Sequence, residues 1–176
     1  MERKVILNLA MSLDGYICDL DGGYSWIKGD GDKHLNTSEG FDFPEFIKNC
    51  DTVVMGKVSY KEFKDTDNFG DLTKIVATHE NLKNFDNFKF ISENIVEEVT
   101  KLKEQPGKNI WLFGGSSLVD NFTKTNSIDL YVIGIIPIIL GSGRKLFLDK
   151  NPMVELHLDS YTVEEGLPIL VYSKRS

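Results

Sequence analysis

Residues 109–117, Asn109-Ile110-Trp111-Leu112-Phe113-Gly114-Gly115-Ser116-Ser117, hold the transition on which the fold turns. A short apolar and aromatic run stops at a glycine pair, and a helical pattern over 116–124 begins at once. Such a run, ending in glycine and feeding a helix start, marks a buried strand in an alternating α/β chain. The glycine pair itself admits two readings. Glycines let a phosphate approach the backbone while Ser116 and Ser117 present amides and hydroxyls to it, but the same residues also make a tight strand-to-helix turn with no ligand.

Working outward, the same grammar recurs. Residues 4–10 (KVILNLA) form a first strand that ends in the turn Ser12-Leu13-Asp14-Gly15, and 52–55 (TVVM) stop at Gly56. Residues 74–77 (KIVA) and 88–91 (FKFI) are two further candidates. Helical patterns lie over 42–49, 57–64, 92–104 and 116–124. The third has Ile95, Val96, Val99 and Leu102 on one face, Ser92 as its cap and Pro106-Gly107 as its stop. After Ser127 the pattern changes, because 128–136, 153–162 and 167–174 all look extended and no helix separates them. The expectation is an α/β, three-layer architecture with a mixed central sheet of about eight strands and about four helices, antiparallel at its C-terminal end.

Bulk properties narrow the partners. With 176 residues and 41% hydrophobic content, the chain is expected to form one domain over 1–176 around a single core. Lys and Arg total 20 against 27 Asp and Glu, a net charge of -7 with no long run of either sign, so nucleic acid is not an expected partner. The start, MERKVILNLAMSLDG, is broken by Asn8, Ser12 and Asp14 and does not make a secretory apolar region. The apolar stretch 131–140 is interrupted by Gly134 and Pro137, well short of the roughly 20 residues of a membrane helix. A soluble, cytoplasmic protein is expected, with Cys18 and Cys50 as free thiols. The apolar residues 133–140 suit either a strand in the monomer core or one buried in a symmetric homodimer.

Three glycine sites fall at the carboxyl ends of predicted strands, where an open α/β sheet forms its ligand crevice. Besides Gly114-Gly115, the segment Met55-Gly56-Lys57-Val58-Ser59 places a cation in the first helical turn, an unfavourable site unless an anion sits there. Thr78-His79 follows the strand at 74–77 and is placed either to contact a ribose or a 2′-phosphate or simply to face solvent. Gly141-Ser142-Gly143-Arg144-Lys145 lacks the third glycine of a GxGxxG loop and leads into no helix, so it is expected to connect extended segments. His34, His79 and His157 are too scattered for a metal site, and none is expected.

Four ordered segments carry a resemblance. Ser12-Leu13-Asp14-Gly15 followed by Ser25-Trp26-Ile27, then 51–60 (DTVVMGKVSY), then Gly114-Gly115, then Asp129-Leu130-Tyr131 through Pro137 to Leu140-Gly141 resemble the landmarks of the dihydrofolate-reductase superfamily. They are most similar to the reductase domain of bacterial riboflavin-biosynthesis enzymes and its stand-alone relatives, over nearly the whole chain. The resemblance implies a dihydrofolate-reductase-like fold and a reductase that takes its hydride from NADPH. It implies Ala10 and Ile17 beside the nicotinamide, and Gly56, Lys57, Val58 and Ser59 on phosphates and ribose. Thr78 and His79 would lie near the adenosine, with Phe113, Gly114, Gly115, Ser116, Ser117 and Leu118 around the pyrophosphate. Relatives are often homodimers.

The substrate half departs from the riboflavin enzyme. Phe113 stands where that reductase commonly has a glutamate, its phosphate-binding arginines have no counterpart in 42–49, and the HxE and PCxxC zinc ligands of its deaminase domain do not occur in this sequence. Dihydrofolate reductases place a carboxylate at the start of the first helix with an aromatic one turn later, which Asp42 and Phe46 resemble. Asp42 is then either an acid that supports protonation or a helix cap before Pro44. Asp14 is either a second acid or part of an Asp-Gly turn. Trp26 either stacks on a flat substrate or fills the core. The expected activity is NADPH-dependent reduction of a small pterin- or aminopyrimidine-like molecule. The alternatives are a catalytically silent nucleotide-binding protein and the reductase of 5-amino-6-(5-phosphoribosylamino)uracil.

Overall fold

A computed structural model describes residues 2–175. Strand β1 (Val5–Ser12) lies inside the sheet and is followed by the short β2 (Tyr16–Cys18) and a long irregular stretch to α1 (Phe43–Lys48). Next come β3 (Cys50–Gly56), α2 (Lys57–Phe63), β4 (Thr73–Ala77), β5 (Phe88–Ile91), α3 (Ile95–Lys103), β6 (Asn109–Gly114) and α4 (Ser116–Lys124). The chain finishes in β7 (Leu130–Ile136), the two-residue β8 (Arg144–Lys145), β9 (Leu156–Glu164) and β10 (Leu167–Lys174).

Eight strands form one sheet in the order β5-β4-β3-β6-β1-β7-β10-β9. The pairs from β5 through to β7 are parallel, and β10 runs antiparallel to both β7 and β9. The sequence expectation of a mixed sheet with an antiparallel finish matches this arrangement. The burial expected of residues 133–140 is met within the monomer as far as Ile136, because β7 is flanked by β1 and β10 and both Ile133 and Ile136 are buried.

Alternation along the strands sends side chains to two cores. Val5, Leu7, Ile110, Leu112, Tyr131 and Ile133 face Val99 of α3 and Leu118, Val119 and Phe122 of α4. Val53, Met55, Val76 and Trp111 point the other way, onto Phe46 and Ile47 of α1 and Tyr60 and Phe63 of α2. The result is three layers, with a helix pair on each face of the sheet. At the amino ends of the strands, the buried Arg3 guanidinium donates to Asp51 Oδ1 at 2.5 Å and to the carbonyls of Lys108 and Leu102, so that an otherwise costly buried charge is paired.

Three details differ from the sequence reading. Helix α3 starts at Ile95 rather than at 92, and its N-cap is Asn94 in a left-handed conformation (φ 53°) with no side-chain cap bond. Ser92 and Glu93 instead connect the end of β5 at Ile91 to that cap. Residues 153–155 stay outside the sheet and β9 runs on to Glu164, where Glu165 and Gly166 (φ 50° and 75°) form a two-residue hairpin turn. Finally, 144–145 are not wholly loop, since β8 pairs antiparallel with β2 as a separate ribbon.

Candidate functional site

The carboxyl ends of β7, β1, β6, β3, β4 and β5 line a wide cleft of about 1870 Å³, the position a parallel sheet reserves for ligands. Its wall changes character along this order of strands.

Over β6 the wall is backbone. Gly114 (φ 120°) and Gly115 (φ 60°) turn the chain, and the Gly115 carbonyl accepts from the amides of Leu118 and Val119, both at 3.0 Å, as α4 begins. The opening amides of a helix have no acceptor within it. No atom lies within 4 Å of where a Gly115 Cβ would stand, and Ser116 Oγ is buried without a partner. An open cradle, free amides and an orphaned hydroxyl suit an anionic group such as a pyrophosphate. Over β3, β4 and β5 the wall carries Gly56, Lys57, Thr78, Glu80, Ser92 and Glu93. The Lys57 ammonium is bridged to the Glu80 carboxylate, which that contact holds below its ordinary pKa. Thr78 is buried, and its hydroxyl accepts from the Glu80 amide at 3.1 Å.

Over β1 and β7 the wall becomes flat and apolar. Ala10 pairs with Gly134 in register, so these two positions carry nothing larger than a methyl, and the Leu167 side chain stands beside them. Beside it stands an aromatic bank: Trp111 and Phe113 lie edge-on to one another with ring centres 5.4 Å apart, and Phe69 and Phe43 pack edge-on to Trp111 at 5.5 and 5.6 Å. Trp111 Nε1 donates to the Asn8 carbonyl at 3.0 Å, fixing the indole against the sheet. The polar side chains here include Asn8, Asp21, Tyr24, Glu62 and Arg144, and the neighbouring Glu62 raises the Tyr24 phenol pKa. The Cys18 thiol is also on the wall and is raised by burial.

Of the residues singled out from sequence, Ala10, Ile17, Gly56, Lys57, Val58, Ser59, Thr78, His79, Phe113, Gly115, Ser116, Ser117 and Leu118 all line this cleft. Gly114 does not; it is buried behind the turn, paired with Met55 of β3. The four residues expected on the substrate side also lie off the wall, for identifiable reasons. The Asp14 carboxylate accepts from Ser12 Oγ at 2.6 Å and from the amides of Leu140 and Gly141 at 3.0 and 2.8 Å, which holds its pKa at about 2. It clamps two loops and is a poor proton carrier near neutrality. Asp42 caps α1, accepting from the Glu45 amide at 2.8 Å, with Pro44 in the first turn. Phe46 packs edge-on to Trp111 at 5.4 Å and supports the wall from behind. Trp26 is half-buried and its indole N–H reaches back to the Gly23 carbonyl at 3.3 Å.

The sequence reading passed over Asn8, Tyr24, Phe41, Phe43, Glu62 and Phe63, which do line the cleft. A signal for two of them was available. Glu62 and Phe63 stand one helical turn after Val58 and Ser59, so helical periodicity places them on the same face.

Comparisons with known proteins bear on the family and the fold. The family model of the RibD C-terminal domain matches residues 3–167. The uncharacterized protein YyaP of Bacillus subtilis (strain 168) is 33% identical, over 97% of this chain and 95% of its own. A putative riboflavin biosynthesis protein from Shewanella sp. PV-4 superposes with a TM-score of 0.83 at 22% identity, over 98% of this chain and 99% of that one. Dihydrofolate reductase from Enterococcus faecalis, solved in complex with NADP(H), superposes with a TM-score of 0.65 at 13% identity, over 100% and 99%. The fold is dihydrofolate-reductase-like.

Proposed function

The chain belongs to the RibD C-terminal domain family, and from that premise we propose that it is a reductase which takes a hydride from NADPH and delivers it to a small, flat, unphosphorylated heterocycle of pterin or aminopyrimidine type. The observation that carries this reading is the continuity of the cleft, from an anion cradle at Gly115 and Ser116 to a flat apolar floor at Ala10 and Gly134. A dinucleotide laid along the strand ends would meet the two in that order. When bound, it supplies the hydride.

The chain's own residues supply position and surroundings. Gly115, Ser116 and Ser117 would hold the pyrophosphate, while Ala10 and Gly134 leave room for two stacked planar rings. The bank of Phe43, Trp111 and Phe113 would press on the second ring and exclude water from its face. An acceptor such as C=N needs a proton as well as a hydride. Asp21 and Glu62 are carboxylates on that part of the wall, and Glu62, whose proximity raises the Tyr24 phenol pKa, is our candidate for passing the proton on. Among the described residues, a phosphate-bearing substrate would find only Arg144 as a cation on this side, with Asp21 and Glu62 on the same wall, which favours an uncharged ring over the phosphoribosyl intermediate of riboflavin synthesis.

The test is a fluorescence titration with NADPH and NADH, followed by a screen of pterins and aminopyrimidines for loss of the reduced-nicotinamide absorbance. Saturable binding and turnover on an unphosphorylated ring support the proposal. Binding without turnover on any ring points instead to a silent nucleotide-binding protein, and no binding by either dinucleotide refutes the reading.

A further inference from the structure

The strand order fixes which part of the cleft would face each part of a dinucleotide. With the pyrophosphate over β6 and the reacting ring over β1 and β7, the remaining nucleoside lies over β3, β4 and β5. That end of the wall carries Lys57, Thr78, Glu80, Ser92 and Glu93. Lys57 is the single lysine among the described residues of the whole cleft wall, and its ammonium is already committed to Glu80. The Glu80 backbone beneath that pair is held by its amide, which donates to the buried Thr78 hydroxyl. Glu93 adds a second carboxylate at the same end.

A ribose 2′-phosphate brought to this end must draw Lys57 away from Glu80 and then sit beside two carboxylates, so part of its attraction is offset by like-charge repulsion. A bare 2′-hydroxyl meets no such penalty, since a carboxylate accepts a hydrogen bond from it. We propose that Glu80 is a specificity-determining residue: by holding the Lys57 ammonium it weakens the protein's preference for a dinucleotide bearing a 2′-phosphate relative to one with an unmodified ribose. This rests on the dinucleotide reading given above, and concerns only which dinucleotide is favoured.

Titrating the wild-type chain and Glu80→Gln with NADPH and with NADH tests it. The Glu80 side chain is about half exposed (54%), and glutamine keeps its size, so the variant is expected to fold. In Glu80→Gln the ratio of the two dissociation constants shifts toward NADPH by about five- to tenfold, through tighter NADPH binding. The NADPH affinity of the variant also falls more steeply with salt than that of the wild type, because a freed lysine now meets the phosphate. Adding Lys57→Gln to Glu80→Gln removes the gain. A ratio that stays put, moves toward NADH, or keeps its gain after Lys57 is lost overturns the proposal while leaving the reductase reading intact. Failure of the wild-type chain to bind either dinucleotide overturns both.

Discussion

Replacing Gly115 separates stability from binding in a way the geometry makes quantitative. At φ 60° and ψ 144°, Gly115 occupies backbone space that side-chain-bearing residues enter at a cost of about 1–3 kcal/mol. A new Cβ meets no protein atom within 4 Å, so no steric contribution adds to that strain. For a chain of this size Gly115→Ala therefore lowers the thermal midpoint by roughly 2–12 °C. Gly115→Asp carries the same strain, but its carboxylate sits at the N-cap of α4, which returns about 0.3–1 kcal/mol through the helix dipole. The aspartate variant is thus as stable as the alanine variant or more so. Binding runs the other way. The alanine methyl projects into the cradle and weakens NADPH by about tenfold, which is about 1.4 kcal/mol, and the aspartate charge weakens it further. Differential scanning calorimetry and fluorescence titration read the two orders. An alanine variant that loses stability yet binds NADPH like the wild type, or an aspartate variant that binds it better, would falsify the placement of the pyrophosphate at Gly115.

Other consequences follow from groups remote from the cradle. Asp14 has its folded-state pKa depressed to about 2, so its contribution to stability is present above about pH 4 and is lost as pH falls through about 2. Urea midpoints measured across that range should show the wild type losing its advantage over Asp14→Asn on acidification; a constant advantage refutes the clamp. Cys50 is buried and its thiol is pushed up to about 11 by burial and by Asp51, whereas Cys18 lines the cleft. Ellman's reagent at neutral pH should therefore titrate one thiol in the native protein and two after denaturation, and dinucleotide should slow the first. Phe122 is fully buried under the sheet, and Phe122→Ala should cost about 3–5 kcal/mol in chemical denaturation. A loss under 1 kcal/mol would show that the α4 face is not the packed core described above.

Much of the architecture was legible because local patterns and tertiary roles agree. The strands at 74–77, 88–91 and 109–113 and the helix at 116–124 are bounded by glycines or turns and are buried on the side their alternation dictates. The backbone part of the site was legible for the same reason, since a glycine pair between a strand and a helix can occupy few places in such a sheet. The side-chain part was not. Asp14, Trp26, Asp42 and Phe46 occupy suggestive positions, but a loop clamp, a back-turned indole, a helix cap and a supporting ring engage them elsewhere. The β2–β8 ribbon was hidden as well, because it joins residues 16–18 to 144–145 through two short strands with no apolar alternation. Here the close approach of Gly143 to the Cys18 carbonyl, where a Cβ would stand 2.2 Å away, is the feature that demands glycine.

The position of β1 also bears on how the chain is made. Its neighbours in the sheet are β6, through Val5↔Ile110, and β7, through Ile6↔Leu130 to Ser12↔Ile136. Once made, β1 thus stays without either partner until close to a hundred further residues have left the ribosome. Until then its apolar run and unpaired backbone are open to solvent, to chaperones and to other nascent chains. Assembly of the sheet around β1 consequently waits for β6 and β7, with the slow closure of long loops that high contact order imposes. Slower synthesis through the β6 and β7 codons would lengthen that exposed interval, and a chain stalled before residue 130 would hold β1 with at most one of its two neighbours.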